Sequence, residues 1–177
     1  MNKAKKISVC AMVAAMQTVI LYFSSVFSML DLTIAAATLF LTMFAVIEIG
    51  GKYPLLIYAV VSVISLLILP QKFTAVVYAL FFGWYPIAKA FFERFNPILS
   101  YALKLLSFNL CYFIIYTVSV RVLMLEETSA FSGKLYFFIM FVIGNVTFIM
   151  IDVLMRLVVT LYTLKLRKQL KIDKLLK

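Results

Sequence analysis

Six stretches of this chain run for most of a helix or longer without a single charge: 7–30, 32–47, 53–71, 73–88, 105–120 and 135–151. A helix that crosses a bilayer needs about 20 mostly apolar residues, in a range of about 17–25. The second, fourth and fifth runs fall slightly short, and each gains length where flanking charges snorkel to the interface. With 66% of 177 residues apolar and 14% charged, the chain carries more hydrocarbon than one water-soluble core can hide; soluble domains average about 45–50% apolar and roughly 25% charged. The solvent for most of this surface is therefore expected to be lipid. The runs are continuous rather than alternating, which argues for helices and against barrel strands.

The expected fold is an all-α integral membrane protein, one domain over 1–177. Its six transmembrane helices fall at about 7–30, 32–49, 53–70, 73–92, 98–124 and 135–165, and a basic tail covers 166–177. Lys3, Lys5 and Lys6 precede the first run as they would in a signal peptide. That run is longer than the roughly 7–15 residues of a signal core, so a retained helix is expected.

In a six-helix arrangement Lys3, Lys5, Lys6, Lys52, Lys89, Arg94 and Lys104 fall on one side with the tail KLRKQLKIDKLLK. The other side keeps Lys72 and Lys134 with the acids Asp31, Glu126 and Glu127. Basic residues mark the cytoplasmic side, so both termini are expected there, with an external loop at 126–133. The net charge of +10 lies where orientation demands it, on a membrane face rather than in a nucleic-acid footprint. Cys10 and Cys111 both lie inside apolar runs and read as small hydrophobes, not as a disulfide.

The stretch FFGWYPIAKAFFERF, 81–95, meets the inner interface. Trp84 and Tyr85 suit an aromatic belt, and Lys89 and Arg94 suit snorkelling anchors. Pro86 has no N–H to give to Phe82 and is expected to kink or loosen that turn. Gly83, the kink and the pair Lys89–Glu93 also suit a hinge or coupling surface.

Polar residues are spread unevenly over the six runs. In the first, Ala11 and Ala15 form a small-residue stripe extended by Ser8 and Thr18; such stripes let backbones approach closely, either inside the bundle or against a partner. Ala75, Ala79 and Gly83 form a second stripe, with Thr74, Tyr78, Tyr85, Lys89 and Glu93 near another face of that run. The fifth run gathers Asn109, Tyr112, Tyr116 and Ser119, and the sixth Asn145, Asp152 and Arg156. Polar groups in hydrocarbon turn toward a bundle interior or cavity. These three faces therefore suit either a ligand pocket, with Tyr78, Tyr112, Tyr116 and Asn145 as substrate contacts, or a structural polar network of Tyr85, Lys89, Asn109, Asp152 and Arg156. Asp152 and Arg156 also stand at i, i+4, where they can pair with each other. Thr33, Thr38, Thr42, Ser62 and Ser65 can bond back to their own helix carbonyls.

The first-run segment KKISVCAMVAAM, with its Ala11-x-x-x-Ala15, resembles the substrate-binding S component of energy-coupling factor (ECF) vitamin transporters. FFGWYPIAKAFFER and GNVTFIMIDVLMR also resemble segments of S-component-like bacterial membrane proteins. The resemblance implies an S-component-like bundle in the bacterial cytoplasmic membrane. It implies a substrate, a vitamin or other small micronutrient, held on the outer side by helices four to six. It implies docking of Ala11 and Ala15 on a transmembrane coupling subunit, and energy from two ATP-binding subunits. The chain has no G-x-x-x-x-G-K-[ST] loop of its own. It carries none of the ligand signatures of the thiamine, riboflavin, biotin, folate or cobalamin members, and the lack of histidine argues against the nickel and cobalt branch. No cofactor is implied. An enzyme is not expected, since there is no histidine, no paired catalytic aspartate and no metal cluster. A self-sufficient carrier would need repeats or oligomers. The competing expectation is a non-transporting membrane scaffold, similar to the rod-shape-determining membrane proteins.

Overall fold

The computed structural model describes residues 3–27, 30–50, 52–121 and 133–166. The expected external loop, with Glu126, Glu127 and Ser129, lies outside them, as does the basic tail beyond Leu166. Among the described residues seven α-helices follow one another: α1 Lys3–Val26, α2 Asp31–Glu48, α3 Tyr53–Ile68, α4 Lys72–Val77, α5 Tyr85–Phe92, α6 Pro97–Arg121 and α7 Gly133–Leu161. Wider π turns join α4 to α5 over Tyr78–Phe82 and extend α7 over Tyr162–Leu166. Taken with its π turn, the span Lys72–Phe92 is one of five helices among the described residues long and apolar enough to cross a membrane.

The departure from six equal runs is α3. At 16 residues it spans about 24 Å at 1.5 Å per residue, short of the roughly 30 Å hydrocarbon core. Its end is local chemistry: Pro70 disfavours a helical conformation at the preceding residue, and Leu69 is extended at φ −66°, ψ 130°. Lys72 then reaches back, its ammonium donating to Leu66 O at 2.8 Å and Leu67 O at 3.4 Å, carbonyls that a helix C-terminus leaves without partners. α2 ends at Glu48, and two residues on Gly50 has a φ of +63°, a conformation other residues adopt only with strain.

The chain divides into two compact units, Asn2–Glu127 and Thr128–Lys177. In the first, α1 packs between α2 and α3, the α4 segment meets α1, α2, α3 and α6, and α5 passes between α2 and α6. α7 forms the body of the second.

Burial in α1 runs opposite to that of a soluble protein. Its inner face holds Val13, Ala14, Gln17, Leu21, Ser24 and Ser25. Met12, Met16, Val19, Tyr22 and Phe23 face outward. The exposed faces of α3 and α6 are likewise covered by large apolar side chains, among them Leu67, Leu106 and Phe113, and in the second unit α7 exposes Phe138. Polar groups inside and hydrocarbon outside is the arrangement that lipid as solvent rewards, and it is compatible with a multi-pass membrane protein.

Candidate functional site

A polar network crosses the middle of the larger unit, and its centre is a residue of α1. Gln17 is fully buried. An amide in hydrocarbon must be paired at both ends, and two neighbouring elements, α2 and the π turn, supply the partners. The Tyr78 hydroxyl donates to Gln17 Oε1 at 2.9 Å. Gln17 Nε2 donates to Thr42 Oγ1 at 2.8 Å and to Thr38 O at 3.3 Å. Thr42 and Thr38 pass their own hydroxyl protons to Thr38 O and Ala35 O, the back-bonding expected of helical threonines. α1, α2 and the start of the π turn are thereby tied by one directional chain.

Sequence reasoning placed Tyr78 with helices five and six; here its hydroxyl is turned to Gln17. Gln17 itself was not singled out. Its signal was an amide in an otherwise apolar spanning run, which has to face inward.

Directly below Tyr78 the helix widens. Gly83 N–H donates to Tyr78 O at 2.8 Å, five residues back rather than four, the mark of a π turn. Two side chains bond carbonyls inside this widened turn: Tyr58 OH donates to Ala79 O at 2.9 Å, and Trp84 Nε1 donates to Leu80 O. Tyr58 comes so close that a Cβ on Gly83 would lie 2.5 Å from its Cδ2. The stripe of Ala75, Ala79 and Gly83 thus serves close packing against α3. A new helix begins at Tyr85 with Pro86 in its first turn, where a missing N–H costs nothing. The break expected at Pro86 is therefore present, displaced one turn upstream as a π segment.

An aromatic row follows on the same rod. Phe81 stacks on Tyr85 with centroids 5.0 Å apart, meets Phe108 edge-on at 5.5 Å, and Phe108 reaches Tyr112 at 6.2 Å. Tyr85 and Tyr112 are thus joined through two phenyl rings. Asn109 and Tyr116 lie half-buried farther along α6.

Lys89 does not snorkel. It is 4% exposed, and its ammonium lies 3.7 Å from Glu93 Oε1. Lys104 of α6, 3% exposed, approaches the same oxygen at 3.0 Å. Glu93 so links α5 to α6 through a carboxylate that keeps contact with solvent, and the Tyr101 ring lies 5.5 Å from the Lys104 ammonium. Two ammoniums out of water need nearby acceptors, which makes this a structural ion cluster rather than an interfacial anchor.

In α7, Asn145 donates its amide to Phe141 O at 2.9 Å, one turn back. Arg156 lies 3.7 Å from the buried Asp152 carboxylate, the i, i+4 pair expected from spacing. Ala11 and Ala15 are both exposed, on the side of α1 turned away from Gln17. Among the described residues no three His, Cys, Asp or Glu side chains gather as metal ligands. The class that fold and site define is an all-helical, lipid-compatible bundle with a buried polar core. No protein family, curated protein or solved structure matches the chain.

Proposed function

We propose that this chain is the substrate-binding membrane subunit of an ECF-type importer of a vitamin or other small micronutrient, seated in a bacterial cytoplasmic membrane. Six helices would cross the membrane with both termini cytoplasmic, α3 doing so as a short helix. A coupling subunit and two ATP-binding subunits would supply the motion and the energy. The observation that carries this reading is the exposure of Ala11 and Ala15. α1 buries its Gln17 face against α2 and α3, so its small-residue stripe is not used for that packing and remains open for close approach by another helix.

The test is co-purification in mild detergent. Wild-type protein should bring down a second membrane protein and ATPase subunits. Ala15→Trp should lose them while the isolated subunit keeps its thermal stability. A variant that unfolds in isolation would instead assign the stripe to internal packing.

The scaffold reading draws on a different observation. The Gln17 network is closed within α1, α2 and the π turn, and Asn145 is bonded within its own helix; both suit a rigid element that only docks. Wild-type protein that carries no small molecule and captures no ATPase would favour it.

A further inference from the structure

Where cations of this bundle are buried, an acid comes with them: Lys89 and Lys104 share Glu93. The lysines at the starts of α1 and α3 follow a different rule. Lys3, Lys5 and Lys6 fall in the first turn of α1, which holds no acid. Lys52 stands immediately before α3, whose first turn holds none either. Cations in these positions work against the helix macrodipole, whose positive end favours anions. Among the described residues none of these lysines has a carboxylate as ion-pair partner. Glu48, which closes α2 just before Lys52, is half-buried and forms an ion pair with none of them.

One contact sets the two helix starts at the same level. The Lys6 ammonium lies over the Tyr53 ring, 5.4 Å from its centroid. A ring face attracts a cation without neutralising it, so the ammonium keeps its charge and N–H groups to donate. Lys6 and Tyr53 are half-buried at this seam, and Lys3, Lys5 and Lys52 are exposed around it. Lys3 precedes Lys6 by one turn on the same face of α1, and Lys52 adjoins Tyr53 in the chain. Immediately beyond this level the surface turns apolar, with Ile7 exposed on α1 and Leu55 and Leu56 exposed on α3. Both helices thus change from unpaired cation to exposed hydrocarbon within one turn.

We propose that the seam between the starts of α1 and α3 binds an anionic phospholipid. Lys6 and Lys52 hold the phosphate by charge-assisted hydrogen bonds, Lys3 and Lys5 add their field, and the acyl chains meet the apolar side chains that follow. A soluble phosphate offers the same anion, but it brings nothing to cover the hydrocarbon directly beside the lysines. Basic clusters at the end of a membrane bundle recognise anionic headgroups by this combination of charge and depth. The proposal rests on the lipid-compatible surface of the bundle and holds for importer and scaffold alike.

The test is native mass spectrometry of full-length protein released from nanodiscs that contain equal amounts of phosphatidylglycerol and phosphatidylcholine, reading the lipid that stays bound. Wild type should retain phosphatidylglycerol in preference. Lys6→Gln and Lys52→Gln should each lower that retention about 5-fold, the worth of one lysine at an anionic surface. Lys6→Arg, which keeps the charge, should preserve it. So should Lys72→Gln, whose ammonium is engaged with Leu66 O and Leu67 O at the far end of α3, and the tail variant Lys168→Gln/Lys171→Gln. Thermal unfolding of each variant checks that the bundle is intact; if Lys6→Gln unfolds, Lys52→Gln against Lys6→Arg carries the comparison. Equal retention of the two lipids overturns the site. So does loss of phosphatidylglycerol in the tail variant but in neither Lys6→Gln nor Lys52→Gln. Displacement of the lipid by excess inorganic phosphate would assign the seam to a soluble anion and overturn the lipid.

Discussion

Gln17 shows how much one side chain can hold together in hydrocarbon. Interhelical hydrogen bonds in membranes average about 0.6 kcal/mol and reach about 1.7, so Tyr78→Phe and Gln17→Leu should each lower stability by an amount in that range. The double variant should cost less than the sum, because removing both partners leaves no orphan. Strict additivity in thermal unfolding of the purified protein would mean that the bond between them contributes nothing. A second residue-scale expectation concerns Gly83. Its missing Cβ makes room for the Tyr58 ring, so Gly83→Ala must push that ring away and break its bond to Ala79 O. Overpacking of this kind costs about 1–3 kcal/mol. In a Tyr58→Leu background the same change should be milder; an equal loss in both backgrounds would remove Tyr58 from the explanation.

At the scale of elements, the decisive feature is the rod 72–92. A straight helix would continue through Gly83 and Trp84, but Pro86 offers no N–H to the preceding turn. The rod answers with a π turn, side-chain donors from Tyr58 and Trp84, and a fresh start at Tyr85. Pro86→Ala restores a donor, so a continuous α-helix through 82–88 becomes accessible. Hydrogen–deuterium exchange should then slow for the amides of Gly83, Trp84 and Ile87. Unchanged exchange would show that Tyr58 and Gly83, not proline, hold the turn open. A kink near Pro86 was legible in the sequence. Its location at Tyr78–Phe82 was not, because it depends on a tyrosine from α3 that is distant in the chain. The ion cluster has the same logic. Lys89 and Glu93 are a visible i, i+4 pair, yet only the packing of α6 brings Lys104 to the same oxygen.

For the whole molecule, the charge asymmetry predicts orientation. In a background of Cys10→Ser and Cys111→Ala, Ser129→Cys should react with an impermeant thiol reagent added to intact cells, and Lys52→Cys should react only after lysis. Labelling of Lys52→Cys in intact cells would invert or break the six-span arrangement.

The helical type of these elements followed from the charge-free runs, since a segment without charges in lipid has one economical way to satisfy its backbone, by bonding within itself; the shortness of α3 did not. The back-bonding of Thr38, Thr42 and Ser65 and the pairing of Asp152 with Arg156 were equally local, fixed by spacing on one helix, and so readable from it. What required the tertiary structure was every contact between helices: Tyr78 turned to Gln17 rather than toward helix five, and Ala11 and Ala15 left outside. Apolar side chains can meet lipid on any face, so hydropathy says that a helix is in the membrane without saying how it is rotated. Rotation is chosen where a few polar groups find one another across helices, and those partners lie tens of residues apart in the chain.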